Sequence, residues 1–179
     1  GKYTALADWK ITNILDGEYI CDRICEMEYD ALDKLKESLD GLSNRDINAY
    51  EELMYGLLLS GLAMQMTGHS RPASGAEHHM AHFWEMAVIN DEIDAYHGEK
   101  VGVGLIQVSD IYHEAVKYLK EGNFKVKDHV DIETDLIEKT FTNKELCESI
   151  KKTNDPNLLD LIDQKVLREK TEEIIRIIE

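Results

Sequence analysis

The chain has 179 residues, enough for one domain with a buried core, and its 20 basic and 36 acidic residues give a net charge of −16. A surface this acidic repels nucleic-acid phosphates and anionic lipid heads, so neither partner is expected. The longest apolar run, 56–64, is too short to span a bilayer, and no leader sequence is recognised, so membrane insertion is not expected. Three cysteines without framework spacing favour a reducing, cytoplasmic compartment.

Apolar residues recur at helical spacing, and only two prolines and eleven glycines interrupt them, so the sequence predicts an all-α helical bundle. The main predicted helices, in chain order, are 3–15, 19–39, 47–67, 77–90, 97–119 and 164–178. Cys21 and Cys25 share a face of the second helix, where packing is favoured over metal binding. The helix 47–67 is apolar nearly all round and is predicted to be the buried centre of the bundle, ending at Gly68.

The second half of the chain carries further helix signals. The helix 97–119 is predicted to turn five apolar residues inward: Val101, Val103, Leu105, Ile106 and Val108. Beyond Gly122 shorter helices are predicted, with a capping box from Thr142 to Glu145. Asp155 is predicted to cap a helix whose first residue is Pro156.

Four of the seven histidines lie between residues 70 and 99, and they indicate a metal site. His78 and His82 share one helix face, and an antiparallel return can bring His97 back to His78. Two or three imidazoles with an open coordination position indicate a Lewis-acid site rather than a closed structural one. A carboxylate is normally needed as well, and Glu77 and Glu99 are the candidates.

An alternative stays open: these histidines are partly exposed residues on helix surfaces. His79 points to another face and is predicted to be a bystander. The remaining histidines have no partner at ligand spacing and are interpreted as structural or solvated: His69, His113 and His129.

The loop Ser70–Gly75 leads into the N-terminus of the helix that carries the first histidines. Backbone N–H groups and the helix dipole favour an anion there, and Arg71 adds a guanidinium suited to phosphate. The alternative is an ordinary turn with Arg71 paired to an acid. Nowhere is a strand followed by a glycine-rich turn, so no nucleotide-binding domain is predicted within the chain.

Three segments resemble a known family: the block Ser-Arg-Pro-Ala-Ser-Gly-Ala-Glu-His-His-Met-Ala-His at 70–82, His-Gly-Glu-Lys at 97–100, and the opening Gly-Lys-Tyr-Thr. They are similar to the C-terminal half of bacterial glycerol-1-phosphate dehydrogenases, among the iron-type alcohol dehydrogenases. The resemblance covers roughly residues 1–106. It implies that 1–179 is a single helical domain of the dehydroquinate synthase-like fold, and that a nucleotide-binding domain and an aspartate metal ligand lie upstream of Gly1.

The resemblance also implies roles for individual residues. His78 and His97 would hold a divalent metal (zinc, nickel or iron), and His82 would face the substrate and orient it or relay its proton. Ser70, Arg71 and Ser74 would contact the substrate phosphate. NAD(H) or NADP(H), bound mainly by the other domain, would reduce dihydroxyacetone phosphate to sn-glycerol 1-phosphate for phospholipid metabolism.

Two other functions stay open at this point. One is a polyol dehydrogenase similar to glycerol dehydrogenase, which would need no anion site in the loop 70–75. The other is a non-catalytic helical module that binds a metal or a partner protein. The sequence also leaves open whether the chain forms a homo-oligomer.

Overall fold

The computed structural model of the chain describes residues 1–86, 94–122, 124–126 and 131–179. These residues contain ten α-helices, a short 3-10 helix at Leu158–Leu161 and no β-strand, which confirms the all-α fold class. The α-helices are α1 (Lys2–Asp16), α2 (Asp22–Glu37), α3 (Leu39–Ser43), α4 (Ile47–Thr67), α5 (Ala76–Glu85), α6 (His97–Glu121), α7 (Thr134–Thr140), α8 (Lys144–Thr153), α9 (Gln164–Glu169) and α10 (Thr171–Ile178).

Glycines end two of the predicted helices as expected. Gly17 follows α1 with φ 80°, and Gly68 follows α4 with φ 74°. Both lie in the left-handed region that side chains with a Cβ avoid, so glycine is the residue that stops the helix there. Asp46 caps the start of α4 by accepting a hydrogen bond from the backbone N–H of Asn48.

The core lies where α1, α2 and α4 meet. Its buried members come from all three helices: Leu6, Trp9, Ile24, Cys25 and Ala63. The indole N–H of Trp9 donates to the carbonyl of Tyr19, 2.8 Å away, which satisfies its only polar group. Cys21 packs against this cluster and Cys25 is inside it, so the packing interpretation of these cysteines is confirmed.

The prediction that α4 is the buried centre of the bundle is wrong. Only Ala49, Ser60 and Ala63 of this helix are buried. It packs mainly on α2 and α3, and these cover one side of it. Eight large apolar residues of the helix are exposed: Ile47, Tyr50, Met54, Tyr55, Leu57, Leu58, Leu62 and Met66. Apolar residues all round a helix permit burial, but burial also needs neighbours on every side.

The inward face predicted for α6 is only partly right. Val108 is buried, as expected, together with Gly104, and Val101 and Leu105 are half-buried. Val103 and Ile106 are instead 51% and 66% exposed. The helix packs on α5 and α10 along a narrow stripe, so residues a third of a turn away from that stripe remain in solvent.

Several boundaries differ from the prediction. The helix predicted to reach Asn90 ends at Glu85, and its predicted last residues, from 87 on, lie outside the described part of the chain. Asn143, not Thr142, caps α8, because its side-chain oxygen accepts from two backbone N–H groups of the first turn.

The C-terminal part corrects two further predictions. Pro156 does not begin a helix: it follows a cis peptide bond, and Asn157 caps the 3-10 helix after it. The helix predicted over 164–178 is two helices, α9 and α10, that meet at Lys170. None of the described helices combines the length and apolar character needed to cross a bilayer.

Candidate metal centre

The three histidines predicted to form a site lie together where α5 packs against α6. His78 and His82 are one turn apart on α5, and His97 is the first residue of α6. The ring centroids of His78 and His97 are 5.6 Å apart, those of His82 and His97 5.1 Å, and those of His78 and His82 6.3 Å. The structure therefore contains the return of His97 to His78 that the sequence predicts.

A glycine on α6 allows the two helices to approach this closely. A Cβ on Gly104 would lie 2.7 Å from the backbone oxygen of Glu77, which is too short for any side chain. The helices can therefore cross in this arrangement only with glycine at that position. The same crossing holds the start of α5, with His78, against α6.

A carboxylate that the sequence pattern did not predict lies between two of the histidines. Oε1 of Glu85 is 3.0 Å from Nδ1 of His97, and Oε2 is 3.3 Å from Nδ1 of His82. The Lys100 ammonium lies 3.5 Å from Oε1. The hydrogen bond from His97 is the largest effect on Glu85 and holds the pKa of this carboxyl below its usual range. Glu85 follows His78 by seven residues, so its place on the same helix face was a signal that could have found it.

Glu77, one of the two predicted carboxylates, contacts a histidine from inside the protein. Its side chain is fully buried, and Oε1 lies 2.8 Å from Nδ1 of His78. Burial acts to raise the pKa of Glu77, but hydrogen bonds from His78, Gly75 and Thr4 outweigh burial and hold this pKa below its usual value. Glu77 therefore supports His78 from behind rather than facing the open side of the cluster.

The other candidates around the cluster have different roles. Glu99 accepts a hydrogen bond from the backbone N–H of Tyr96, 2.7 Å away, and so caps α6. His79 is exposed, and the nearby acid that its charge affects is Asp8. Neither residue belongs to the three-histidine cluster.

The remaining histidines were interpreted as structural or solvated. His69 packs edge to face against Trp9, with ring centroids 5.4 Å apart, and His113 is exposed. Both positions agree with that interpretation. His129 lies outside the described residues.

Two ligand sets are considered, one from the positions of the ligand atoms and one from the resemblance. Zinc bonds of about 2.0–2.2 Å separate the donor atoms of a tetrahedral site by roughly 3.3–3.6 Å. One ligand atom from each of His82, Glu85 and His97 lies within 4.8 Å of the others, so these three form one set. The second set is the pair that the resemblance implies, His78 and His97, and a carboxylate occupies Nδ1 of each ring, so Nε2 is the nitrogen left for a metal. Either set suits a borderline divalent ion, and the assignment of ligands stays a prediction.

The loop predicted to hold phosphate is engaged with an acid of the chain. Nε of Arg71 donates to Oε1 of Glu18 at 2.9 Å, and Nη2 lies 2.7 Å from Oε2. The carbonyl of Ser70 accepts from the N–H of Ser74, which closes a turn. This geometry is the ordinary turn with a paired arginine. Phosphate contacts from Ser70, Arg71 and Ser74 stay a prediction.

The start of α5 does not offer the free N–H groups that the sequence predicts. The N–H of Gly75 donates to Glu77, and the N–H of Ala76 donates to Oδ2 of Asp8 at 2.7 Å. Asp8 also accepts from the hydroxyl of Tyr112, and burial raises the pKa of Asp8. Two carboxylates of the chain thus take the position expected for an external anion, because α1 brings Asp8 against the helix start.

Comparison with known proteins identifies relatives of this chain. No protein-family model matches it. It is 42% identical over 117 residues to a glycerol-1-phosphate dehydrogenase [NAD(P)+] of Bacillus licheniformis, covering 65% of the chain and 29% of that relative. Proteins of the same name from Bacillus subtilis and Sulfolobus acidocaldarius are 36% and 38% identical, each over 115 residues, covering 64% and 63% of the chain and 29% and 31% of the relative.

The chain therefore spans about three tenths of the length of the curated relatives that it matches. The matches agree with the resemblance that the blocks around His78 and His97 indicate. Over about two thirds of its length, this chain is homologous to the glycerol-1-phosphate dehydrogenases.

Proposed function

We propose that this chain is the metal-binding and substrate-binding part of an NAD(P)-dependent dehydrogenase that interconverts dihydroxyacetone phosphate and sn-glycerol 1-phosphate. The observation that carries the proposal is the cluster of His78, His82 and His97 in a chain whose relatives bear that name. Nucleotide binding is assigned to the part of the relatives that the matches leave out. We assign the reaction to the cytoplasm, since the three cysteines are free.

The metal is assigned to Nε2 of His78 and His97, with an aspartate expected upstream as the third ligand. Both rings have a carboxylate on Nδ1, an arrangement that orients metal-binding histidines and makes them more basic. Zinc, nickel and iron all accept such ligands. When bound, the metal supplies a Lewis acid that withdraws electron density from the C2 carbonyl of the substrate.

His82 is assigned to the substrate. Its side chain is 58% exposed and its Nδ1 lies 3.3 Å from Glu85, so Nε2 is the nitrogen available to a bound molecule. A ring in this position can donate a hydrogen bond to the C2 oxygen, or accept one from it, and thereby move a proton as the carbonyl becomes an alcohol. Glu85 keeps the ring at the cluster while it does so.

The substrate phosphate needs a cation on so acidic a chain. We assign it to Arg71 with Ser70 and Ser74, and phosphate would then replace Glu18 as the partner of the guanidinium. Lys100 is a competing candidate, because its ammonium already lies beside the histidine cluster, 3.5 Å from Glu85. Kinetics of the two single variants separate these assignments.

One observation favours each alternative function. The pairing of Arg71 with Glu18 favours a polyol dehydrogenase that handles no phosphate. The His82–Glu85–His97 set favours a self-contained metal module, because it offers three ligands without an upstream aspartate. The two experiments below distinguish both from the main proposal.

The first experiment measures zinc binding to the chain by calorimetry. Alanine at His78 or His97 is expected to abolish binding, and alanine at Glu85 to weaken it about 10-fold because His97 loses its carboxylate partner, whereas alanine at His82 is expected to leave most of it. His79→Ala is the matched control, since His79 is on the same helix but outside the cluster. If Glu85→Ala and His82→Ala lose as much affinity as His97→Ala, while His78→Ala binds normally, the three-ligand module is favoured instead.

The second experiment measures steady-state kinetics of a protein that carries this chain together with its nucleotide-binding domain. Dihydroxyacetone phosphate should be preferred over dihydroxyacetone, and His78→Ala should collapse kcat. Arg71→Ala should raise KM for the phosphorylated substrate more than Lys100→Ala does. A preference for the unphosphorylated ketone would favour the polyol dehydrogenase.

A further inference from the structure

The carboxylate of Glu77 is completely buried, and its hydrogen-bond partners come from two helices and a loop. Oε2 lies 2.8 Å from the hydroxyl of Thr4 on α1. Oε1 accepts from the N–H of Gly75 at 3.0 Å and lies 2.8 Å from Nδ1 of His78. One oxygen atom therefore contacts both the loop before α5 and a histidine of the candidate metal centre.

The hydrogen in the contact between Glu77 and His78 belongs to the ring. The N–H of Gly75 can only donate, so Oε1 is already acting as an acceptor. Nδ1 must then carry the hydrogen that it shares with Oε1. A neutral imidazole protonated on Nδ1 has its lone pair on Nε2, and that lone pair is what a metal needs.

We propose that Glu77 is a positioning residue that holds His78 in the Nδ1–H tautomer and in one ring orientation, and thereby keeps Nε2 available as a ligand atom. The tautomer follows from the contacts of the chain alone. Only the consequence for metal binding rests on the proposed function. Carboxylates that support metal-binding histidines in this way typically contribute about 10-fold to 100-fold to metal affinity.

Glu77 can impose an orientation because it cannot move itself. Its backbone lies against Gly104 of α6, where a Cβ would come within 2.7 Å of its carbonyl oxygen. Its side chain also fills the space beside Gly75, where a Cβ would lie 2.9 Å from Oε2. Glu85 is different: its side chain is 26% exposed and is shared by His82, His97 and Lys100, so no single ring determines its position.

The test uses long-range 1H–15N NMR of the metal-free chain, at about pH 8.5, roughly two units above the ordinary pKa of imidazole. The His78 signals are assigned by their loss in His78→Gln. Wild type should show a protonated Nδ1 and an unprotonated Nε2. Glu77→Leu should shift the population toward Nε2–H, whereas Thr4→Val, which removes the donor at the other oxygen, should leave the tautomer unchanged.

Glu77→Gln is the second variant and keeps the proposal testable if Glu77→Leu does not fold. The N–H of Gly75 requires an acceptor at the Oε1 position, so the amide oxygen should occupy it and the tautomer should persist. Zinc affinity of Glu77→Gln should still fall about 10-fold, because the charge is lost. Thr4→Val should bind zinc as wild type does.

Two results would overturn the proposal. One is a wild-type His78 protonated on Nε2, and the other is a folded Glu77→Leu whose His78 spectrum is unchanged. If wild type shows the Nδ1–H tautomer but His78→Ala binds zinc normally, the ligand assignment of the proposed function is wrong. The inference that Glu77 holds His78 in the Nδ1–H tautomer is then still supported.

Discussion

Glu77 and Glu28 are both fully buried, yet their surroundings differ in the way that decides the cost of burying a carboxylate. Donors from Thr4 and Gly75 reach Glu77 and, with the ring of His78, hold its pKa below the usual range. Glu28 lies in the packing of α1, α2 and α4, where no backbone N–H of the described residues donates to its oxygens and the Ser60 hydroxyl is the one side-chain donor beside them. Burial raises the pKa of Glu28, and the nearby Lys2 and the hydrogen bond with Ser60 offset only part of that effect.

The difference shows that burial of an acid is informative only together with its donors. A buried carboxylate with three donors has its charge stabilised and can hold a neighbouring group in place. A buried carboxylate without them gains nothing from its charge and is stable mainly when protonated. Glu77 therefore helps to fix the site, whereas burial disfavours the charged form of Glu28.

The largest difference in stability between the two acids is expected for their substitution by leucine, beginning with Glu77→Leu. Leucine leaves the donors of Gly75 and His78 without an acceptor, while the Thr4 hydroxyl keeps the carbonyl of Gly1, so we expect a loss of about 2–4 kcal/mol in the free energy of unfolding. Glu28→Leu, the matched control, should change it by less than about 1 kcal/mol, since the lost contacts with Lys2 and Ser60 do not outweigh the cost of burying the carboxylate. Urea denaturation monitored by circular dichroism measures both. Equal losses would mean that the hydrogen bonds of Glu77 are not what stabilises it.

The second prediction concerns the backbone beside Glu77. Gly104→Ala should cost about 2 kcal/mol, because its Cβ would meet the carbonyl oxygen of Glu77 and force α5 and α6 apart. Gly102→Ala on the same helix meets no atom within 4 Å and should be neutral or stabilise by up to about 1 kcal/mol, the ordinary gain of alanine in a helix. Thermal melts of the two variants provide the measurement. If Gly104→Ala is as stable as Gly102→Ala, the close crossing is not required.

The helix bounds and the histidine cluster were predictable from the sequence, because both depend on local spacing of residues. Helical periodicity predicted α1 and α4 nearly to the residue, and the i,i+4 pair with a returning helix predicted that His78, His82 and His97 meet. Which side of α4 is covered was not predictable, because an apolar helix does not specify how many neighbours it has.

The carboxylates were harder to predict for the same physical reason. Two donors of Glu77, Gly75 and His78, are its neighbours in sequence, but the turn of its side chain into the protein and the donor from Thr4 depend on how α1 and α6 pack against it, and local pattern contains no record of that packing. Glu85 was predictable from its helix face, three residues after His82. Its contact with His97 was not, because that contact depends on where the first turn of α6 packs against α5.

The third prediction tests Glu28 from the opposite direction. Glu28→Gln should stabilise the protein by about 1 kcal/mol at pH 7, because the amide oxygen can still accept from Ser60 and the substitution removes a charge that burial disfavours more than Lys2 favours it. The pKa of Glu28 is raised by folding, so its neutral form stabilises the fold below the unfolded value of about 4.3, and this contribution is lost as pH rises through the folded pKa.

The advantage of Glu28→Gln should therefore be absent near pH 4 and grow toward pH 7. Urea titrations of wild type and variant across that range give the comparison. Glu77→Gln should behave oppositely: the pKa of Glu77 is lowered by folding, so its contribution is present above about pH 4.3, and the variant should be the less stable protein at pH 7. The same sign for both variants would show that their donors do not distinguish the two acids.

The smallest effect is expected for Glu85→Gln. Glu85 contacts His82, His97 and Lys100 at the surface, where water can replace each partner, so the urea midpoint should not move measurably. Its lowered pKa comes mainly from the hydrogen bond of His97, and the small contribution it makes to stability would be lost only as pH falls below the unfolded value. A midpoint shift as large as that of Glu77→Gln would mean that the outer carboxylate, like the inner one, is fixed by the fold, and the contrast between Glu77 and Glu85 would then be wrong.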